Sequence, residues 1–295
     1  KFAVASVYEA ESLRKNGING EIAILGFCED FGLAREIAAR PLVYDEHTLC
    51  LAKKYDAEVF VKINTGMNRL GFSTIGETAS AVKNLRVLGV FTHLSSADGD
   101  DATDRRITEA QIKNFMEAEL VVKNEKDVPF YAENSAALIK YGRFFDGARI
   151  GIALYGVNPV SGDKTPLLPV MTFRAAVIAI NTVKKGDFIG YSRGYRAKKD
   201  MRVAIISTGY ADGLPRALSN KGMIFCNGQF LKIVGKVSMD SVAVDAGDAD
   251  VKIMDEVVVF GDEITVTDVA NRADTLPYEI LTGVSERVKR VYKNP

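Results

Sequence analysis

The chain of 295 residues is long enough for one large domain or two ordinary ones. It is 47% apolar and 26% charged, with 38 basic residues against 38 acidic, so nothing in its charge calls for nucleic acid or an anionic membrane as partner. No apolar run approaches the ~18 residues of a membrane span, and the start, KFAVAS, lacks the regions of a signal peptide. Cys28, Cys50 and Cys226 are scattered and only two histidines are present, which points to a reduced, cytoplasmic setting with no metal site.

The first half alternates two patterns. Short apolar runs of strand type occur at 2–6, 21–27, 40–44, 58–64, 86–94, 129–134 and 147–152. Helix-like segments lie between them, among them FGLAREIAAR, EHTLCLAKKYD, IGETASAVKNL and TEAQIKNFMEAELVVKNE. Units of this length predict parallel strands joined by helical crossovers. Seven strands fit an open doubly wound sheet, although the phosphate-loop signature of a dinucleotide fold is absent. They fit equally an eight-unit barrel short of its first strand–helix unit. The count leaves both open.

The pattern changes near Asn158-Pro159. Strand-type runs follow at 170–180, 202–207, 222–226, 229–237, 241–245 and 256–260, separated by turn signals that include the hairpin dipeptide Asn227-Gly228. Helical periodicity nearly vanishes until an amphipathic stretch at 278–292. The expectation is an α/β domain over 1–158 and a mostly antiparallel β domain over 159–295.

In a parallel barrel, chemistry collects at the C-terminal ends of the strands. Those ends are polar here. The run 58–64 carries Lys62 and Asn64 and leads to Arg69. The run 86–94 ends in Thr92, His93 and Ser95, and 129–134 ends in Glu133, Asn134 and Ser135. The run 147–152 carries Arg149 and Gly151. Each residue alone reads as a surface group or a satisfied core group; four successive strand ends with one bias read as a site. Ser135 stands where a loop enters a helix, a position that suits a helix cap and also a bound phosphate.

The segments FAVAS, KINTGMNRLGF, THLSSAD, ENSAA, RIGIALYG, GYSRGY, GYADGLPR, VGKVSMDSVAVD and YEILTGVSERVKRVY resemble the pyridoxal-phosphate-dependent alanine racemases over nearly the whole length. The resemblance implies a (β/α)8 TIM-type barrel followed by a β domain. It implies an isomerase that interconverts L-alanine and D-alanine for peptidoglycan, with active sites shared across a homodimer. In that family the cofactor is held covalently by a lysine in a motif resembling AVVKANAYGHG, upstream of FAVAS. The motif does not occur here, so the expectation is a barrel without its first β/α unit and a chain that does not racemise by itself.

By resemblance, Arg149 faces the ring nitrogen of the cofactor and His93 lies by the ring. Asn134, Ser135, Gly151, Ile152 and Tyr278 hold the cofactor, chiefly at its phosphate. Tyr191 is the acid–base group on one face of the α-carbon, its phenol lowered by positive charge from Arg69, His93 or Arg149, and the missing lysine serves the other face. Tyr191, Tyr210, Met239 and Asp240 come from the partner subunit and narrow the entrance. Lys62 is the candidate for a carbamate that pairs with Arg69, which then addresses the substrate carboxylate. A serine racemase is the sister reading, against which Tyr278 speaks. A decarboxylase of the same architecture is disfavoured by GYADG and SMD. A non-catalytic pyridoxal-phosphate-binding protein would generally lack the β domain.

Overall fold

Strands and helices alternate through the first half because each strand ends in a short polar loop that carries a helix cap. The computed structural model describes residues 1–293. The order is β1 (Phe2–Val4), α1 (Val7–Lys15), β2 (Ile22–Ile24), α2 (Phe31–Glu36), β3 (Ala39–Val43), α3 (Glu46–Lys54), β4 (Glu58–Lys62), α4 (Ile75–Asn84), β5 (Arg86–Phe91), α5 (Ala102–Lys123), β6 (Phe130–Tyr131) and α6 (Ser135–Tyr141). Ser6, Asp30, Asp45, Thr74, Asp101 and Asn134 each cap the following helix by accepting a backbone N–H, which satisfies a donor that the helix leaves orphaned.

The six strands pair in sequence order, every pair parallel. Their helix-facing side chains join the large apolar cluster beneath the helices. The other face forms a smaller cluster of Ala23, Leu42, Phe60 and Phe91, with Tyr131 packed against it. Phe60 and Phe91 stack with centroids 4.5 Å apart, and Tyr131 meets Phe60 edge-on at 6.3 Å. Strands two apart in a flat sheet lie about 9.5 Å from one another. The Phe60–Tyr131 contact therefore shows the wall curling inward, as in a barrel.

One predicted strand does not form. The run 147–152 has no ladder. Its neighbour receives Asp146 N–H at Phe130 O and Arg149 N–H at Glu133 O. These bonds advance three residues on each side, whereas a parallel ladder repeats every two.

The second half comprises β7 (Phe173–Val183), β8 (Phe188–Ile189), β9 (Tyr195–Arg196), β10 (Met201–Ile206), β11 (Met223–Cys226), β12 (Gln229–Lys232), β13 (Val242–Asp245), β14 (Glu256–Phe260), α7 (Val266–Ala273) and α8 (Pro277–Gly283). Six of these strands form an antiparallel sheet in the order β12-β11-β14-β7-β10-β13. A bridge between Ile233 and Val244 joins the two ends and closes the sheet on itself. The β11–β12 hairpin turns at Asn227 and Gly228, both with positive φ, as its dipeptide predicts.

The amphipathic stretch at 278–292 is helical only to Gly283. Ser285 N–H goes to Asp212 O instead of continuing the helix. Sequence reading also missed α7, whose Thr265 and Asp268 form a capping box, and the short β8–β9 hairpin.

The chain divides into two compact units, Lys1–Ala153 with Asn158–Pro166, and Leu154–Val157 with the described chain from Leu167 onward.

Candidate active site

In the first unit, Arg149 gathers the ends of β5 and β6. Its Nη1 donates to Tyr131 O at 2.6 Å, and Nη2 donates to Thr92 O at 2.5 Å and to Ala132 O at 3.3 Å. The guanidinium lies over the Phe91 ring, 5.1 Å from its centroid. Burial pushes its pKa down to about 10, partly countered by Glu133, so it remains a cation at neutral pH. Nη2 also meets His93 Nδ1 at 3.3 Å. A guanidinium has no acceptor, so Nδ1 must be the acceptor and the imidazole proton sits on Nε2. Burial, then Arg149, Arg69 and Lys62, press the His93 pKa down to about 4. His93 is therefore neutral at physiological pH and drops out of the cations expected to lower a tyrosine.

Lys62 ends β4 with its side chain in the interior, only 7% exposed. Burial and the charges of Arg69 and Arg149 lower its pKa to about 8. The lysine and Arg69 thus face one region, as their spacing predicts. Among the described residues, Lys62 Nζ has no acceptor or carboxylate partner. Asn64 shapes the loop between them: its Oδ1 accepts from Gly66 N–H at 3.0 Å and Asn68 N–H at 2.9 Å, and its Nδ2 donates to Asn68 Oδ1. Asn68 takes a left-handed φ of 58°, which asparagine tolerates, and delivers the exposed Arg69.

Behind this rim lies a hub that sequence reading missed. Gln111 on α5 is 2% exposed. Its Nε2 donates to Thr65 Oγ1 and His93 O, and its Oε1 accepts from Ser95 N–H and Ser95 Oγ, both at 2.9 Å. Thr65 Oγ1 in turn meets Thr92 Oγ1 at 2.7 Å. The loops after β4 and β5 are both held by one glutamine. The available signal was a large polar residue on the buried face of α5, beside Thr108, Ile112, Phe115 and Ala118.

The helix-entry serine plays a different part from a cap. Asn134 is the N-cap of α6, its Oδ1 accepting from Ala137 N–H at 2.9 Å. Ser135, 4% exposed, is the first helical residue, and its Oγ accepts from Gly151 N–H at 3.0 Å and Ala153 N–H at 3.4 Å. The turn before Arg149 is fixed by buried Glu133, whose Oε1 accepts from the Phe144 and Phe145 amides while Oε2 has no partner. Lys62, Arg69 and Arg149 thus offer donors against a single nearby carboxylate, a set that fits an anionic group such as a phosphorylated cofactor.

In the second unit, three residues expected at a shared entrance come together. Tyr210 N–H donates to Ser238 O and Ala211 N–H to Met239 O, both at 3.0 Å, so the GYADG loop lies along the SMD loop. A Cβ on Gly209 would stand 2.3 Å from Met239 O, so only glycine permits this approach. Tyr191 belongs to a short turn beside β8, and its neighbours Gly190 and Gly194 pack on Lys236 of the segment leading into Met239. Tyr191, Tyr210, Met239 and Tyr278 expose 71%, 44%, 52% and 52% of their surfaces. Asp240 accepts from Arg287, which also holds Asp212; neither partner was singled out from the sequence.

Comparison with known proteins places these features in a family. Residues 1–159 match the model for the alanine racemase N-terminal domain, and residues 170–292 match that for the C-terminal domain. The alanine racemase of Aquifex aeolicus is 36% identical over 98% of this chain and 83% of its own length. That of Halothermothrix orenii is 34% identical, over 100% of this chain and 83% of its own. Among solved structures, the alanine racemase of Streptomyces coelicolor A3(2) superposes with a TM-score of 0.93 at 27% identity, covering 100% of this chain and 85% of that one. The Bartonella henselae alanine racemase, solved with covalently bound pyridoxal phosphate, superposes with a TM-score of 0.86 at 31% identity, covering 99% of this chain and 84% of that one. Two domain matches that together span nearly the whole chain, and relatives above 30% identity along most of their own length, make this chain a member of the alanine racemase family.

Proposed function

We propose that the protein is a pyridoxal-phosphate-dependent alanine racemase that interconverts L-alanine and D-alanine and so supplies D-alanine for peptidoglycan from the cytoplasm. The observation that carries the reading is the cation-rich pocket at the strand ends, where Arg149 stays charged, His93 stays neutral and Lys62 lacks a counter-ion. Bound there, pyridoxal phosphate supplies the electron withdrawal that acidifies the α-hydrogen of alanine. Asn134, Ser135, Gly151 and Ile152 would hold the cofactor. Arg149 faces the ring nitrogen as a donor without acceptor capacity, and it leaves that nitrogen unprotonated. An unprotonated ring nitrogen would temper the electron withdrawal that the cofactor supplies and so disfavour transamination. The neutral His93 lies by the ring.

Lys62 carries a carbamate. The step joins its neutral amine to carbon dioxide with loss of a proton, and a pKa of about 8 makes the neutral amine accessible near pH 7. The carbamate anion sits among the charges of Arg69 and Arg149 and fixes Arg69 toward the alanine carboxylate. Tyr191 moves the proton on one face of the α-carbon; in the resembled enzymes the other face belongs to the cofactor lysine. Tyr191, Tyr210, Met239 and Asp240 act in the site of a second copy, which makes the working form a homodimer and accounts for their exposure.

Exchange of the α-hydrogen with deuterated solvent tests this in the full-length protein. The wild type should exchange both enantiomers of alanine. Tyr191→Ala should lose exchange from L-alanine first and keep part of that from D-alanine. Equal loss from both would remove Tyr191 from a one-face role, and no exchange in the wild type would sink the racemase reading. A heterodimer of one Tyr191→Ala subunit and one subunit lacking the cofactor lysine should show roughly half the activity, because one of its two sites keeps both groups. No recovery with heterodimers present would argue against shared sites.

A further inference from the structure

Three loops of the second unit meet at Arg287. Its Nε donates to Asp212 Oδ1 at 2.7 Å, and its Nη2 donates to Asp240 Oδ1 at 2.8 Å. Asp212 is the anchored member. Its Oδ2 accepts from Gly209 N–H at 2.8 Å, its carbonyl accepts from Ser285 N–H at 3.2 Å, and its side chain is only 15% exposed. Burial raises its carboxyl, but the hydrogen bonds from Arg287 and Gly209 outweigh that and hold it below the usual carboxylate range. The 209–213 loop is pressed onto the chain after α8: a Cβ on Gly213 would stand 2.6 Å from Gly283 O, and Gly213 has a φ of 110°. Asp240 is the free-standing member, its side chain 66% exposed.

We propose that Arg287 is a positioning residue whose task is to hold the Asp240 carboxylate in one orientation at the substrate entrance. The inference rests on the reading of Asp240 as an entrance residue given above. Rigidity passes from backbone to Asp212, from Asp212 to the planar fork of Arg287, and from the fork to Asp240. Exposed ion pairs add little to folding stability, so the pair's effect lies in geometry. A guanidinium can reach two carboxylates in different directions at once, which an ammonium on a flexible stem does poorly. The exposed Asp240 would otherwise sample several rotamers beside Met239 and Tyr210, the neighbours that narrow the entrance.

The test uses steady-state kinetics with alanine and melting temperatures of the full-length, cofactor-loaded dimer. Arg287→Gln should raise KM about fivefold to tenfold while kcat changes less than about twofold, the split expected when binding geometry is lost and chemistry is kept. Asp240→Asn should do the same, and the double variant should be no worse than either single one. Arg287→Lys should recover only part of the loss. Additive effects, an unchanged KM, or a fall in kcat together with melting temperature would overturn the proposal, the last by making Arg287 a plain structural residue. A crystal structure of Arg287→Gln separates this from the racemase reading. If Asp240 keeps its wild-type orientation the positioning role is refuted, whatever the enzyme turns over; a displaced or multiple carboxylate supports it even for another substrate.

Discussion

Arg149 and Arg287 are both bridging guanidiniums, one in each unit, and they are built in opposite ways. Arg149 is surrounded by the carbonyls of Thr92, Tyr131 and Ala132 and by an imidazole, with no carboxylate in contact. Arg287 is half-exposed and bridges two carboxylates. Burial lowers the pKa of the first, while donating hydrogen bonds to Asp212 and Asp240 raises that of the second. Carbonyl dipoles fix a cation without cancelling it, so the strand ends around Arg149 keep positive charge for an anion. Carboxylates cancel it, so the second unit obtains a shaped rim with little field. The difference teaches that the same side chain serves as a charge in one place and as a strut in the other.

Removing the buried cation should have the largest effect. Arg149→Glu in the full-length enzyme should lower racemisation by about a hundredfold or more, the size seen when a preorganised electrostatic group is lost. Transamination by-products, followed as pyruvate, should rise at the same time, because the ring nitrogen could then take a proton. Unchanged racemisation without by-product would mean that Arg149 serves packing alone and that the contrast with Arg287 is empty.

Lys62→Ala should cost less, about tenfold to a hundredfold in kcat/KM, since on the proposed carbamate reading it takes away the anion that aims Arg69 and leaves Arg69 and Arg149 in place. If the missing group is a carbamate, added acetate or chloride should return part of the activity by refilling the anionic position. Failure of every small anion to restore activity, with the variant folded, would count against the carbamate. A bare ammonium in density from carbonate-equilibrated crystals would do the same for the wild type.

How far the sequence could be read follows the same division. Strand–helix alternation was legible because each unit carries its own apolar run and cap, and the polar strand ends were legible because period-two patterning leaves no ordinary place for Lys62 beside Phe60. The seventh strand was overcounted because an apolar run tells nothing about whether its hydrogen bonds fall into register. The capping role of Ser135 went to Asn134, one residue earlier, a shift that composition cannot resolve. Gln111, Asp212 and Arg287 were missed for a common reason. Each works through contacts across long sequence separations, Gln111 to Thr65 and Arg287 to Asp212, and no local pattern encodes such a meeting.

The smallest expected effect concerns acid, and it turns on His93. Arg149 and Arg69, with Lys62, face its ring, and the folded pKa of about 4 lies below the ordinary 6.5. The unfolded chain therefore takes up the imidazole proton as pH falls through 6.5, while the folded protein refuses it until about pH 4. Stability is lost across that window, and the loss is complete below it. Above pH 6.5 the group contributes nothing to the pH dependence. The full shift would correspond to about 3 kcal/mol, and partial exposure of the ring with solvent screening reduces the expectation to roughly 1.5 kcal/mol. Urea unfolding of the cofactor-free protein at pH 7.5 and pH 4.5 should show this loss in the wild type. His93→Asn should lack that part of the slope, so the two proteins should differ more at neutral pH than in acid. Parallel pH profiles would show that the ring is not held neutral by its burial and the surrounding cations, and the contrast with the second unit would lose that support.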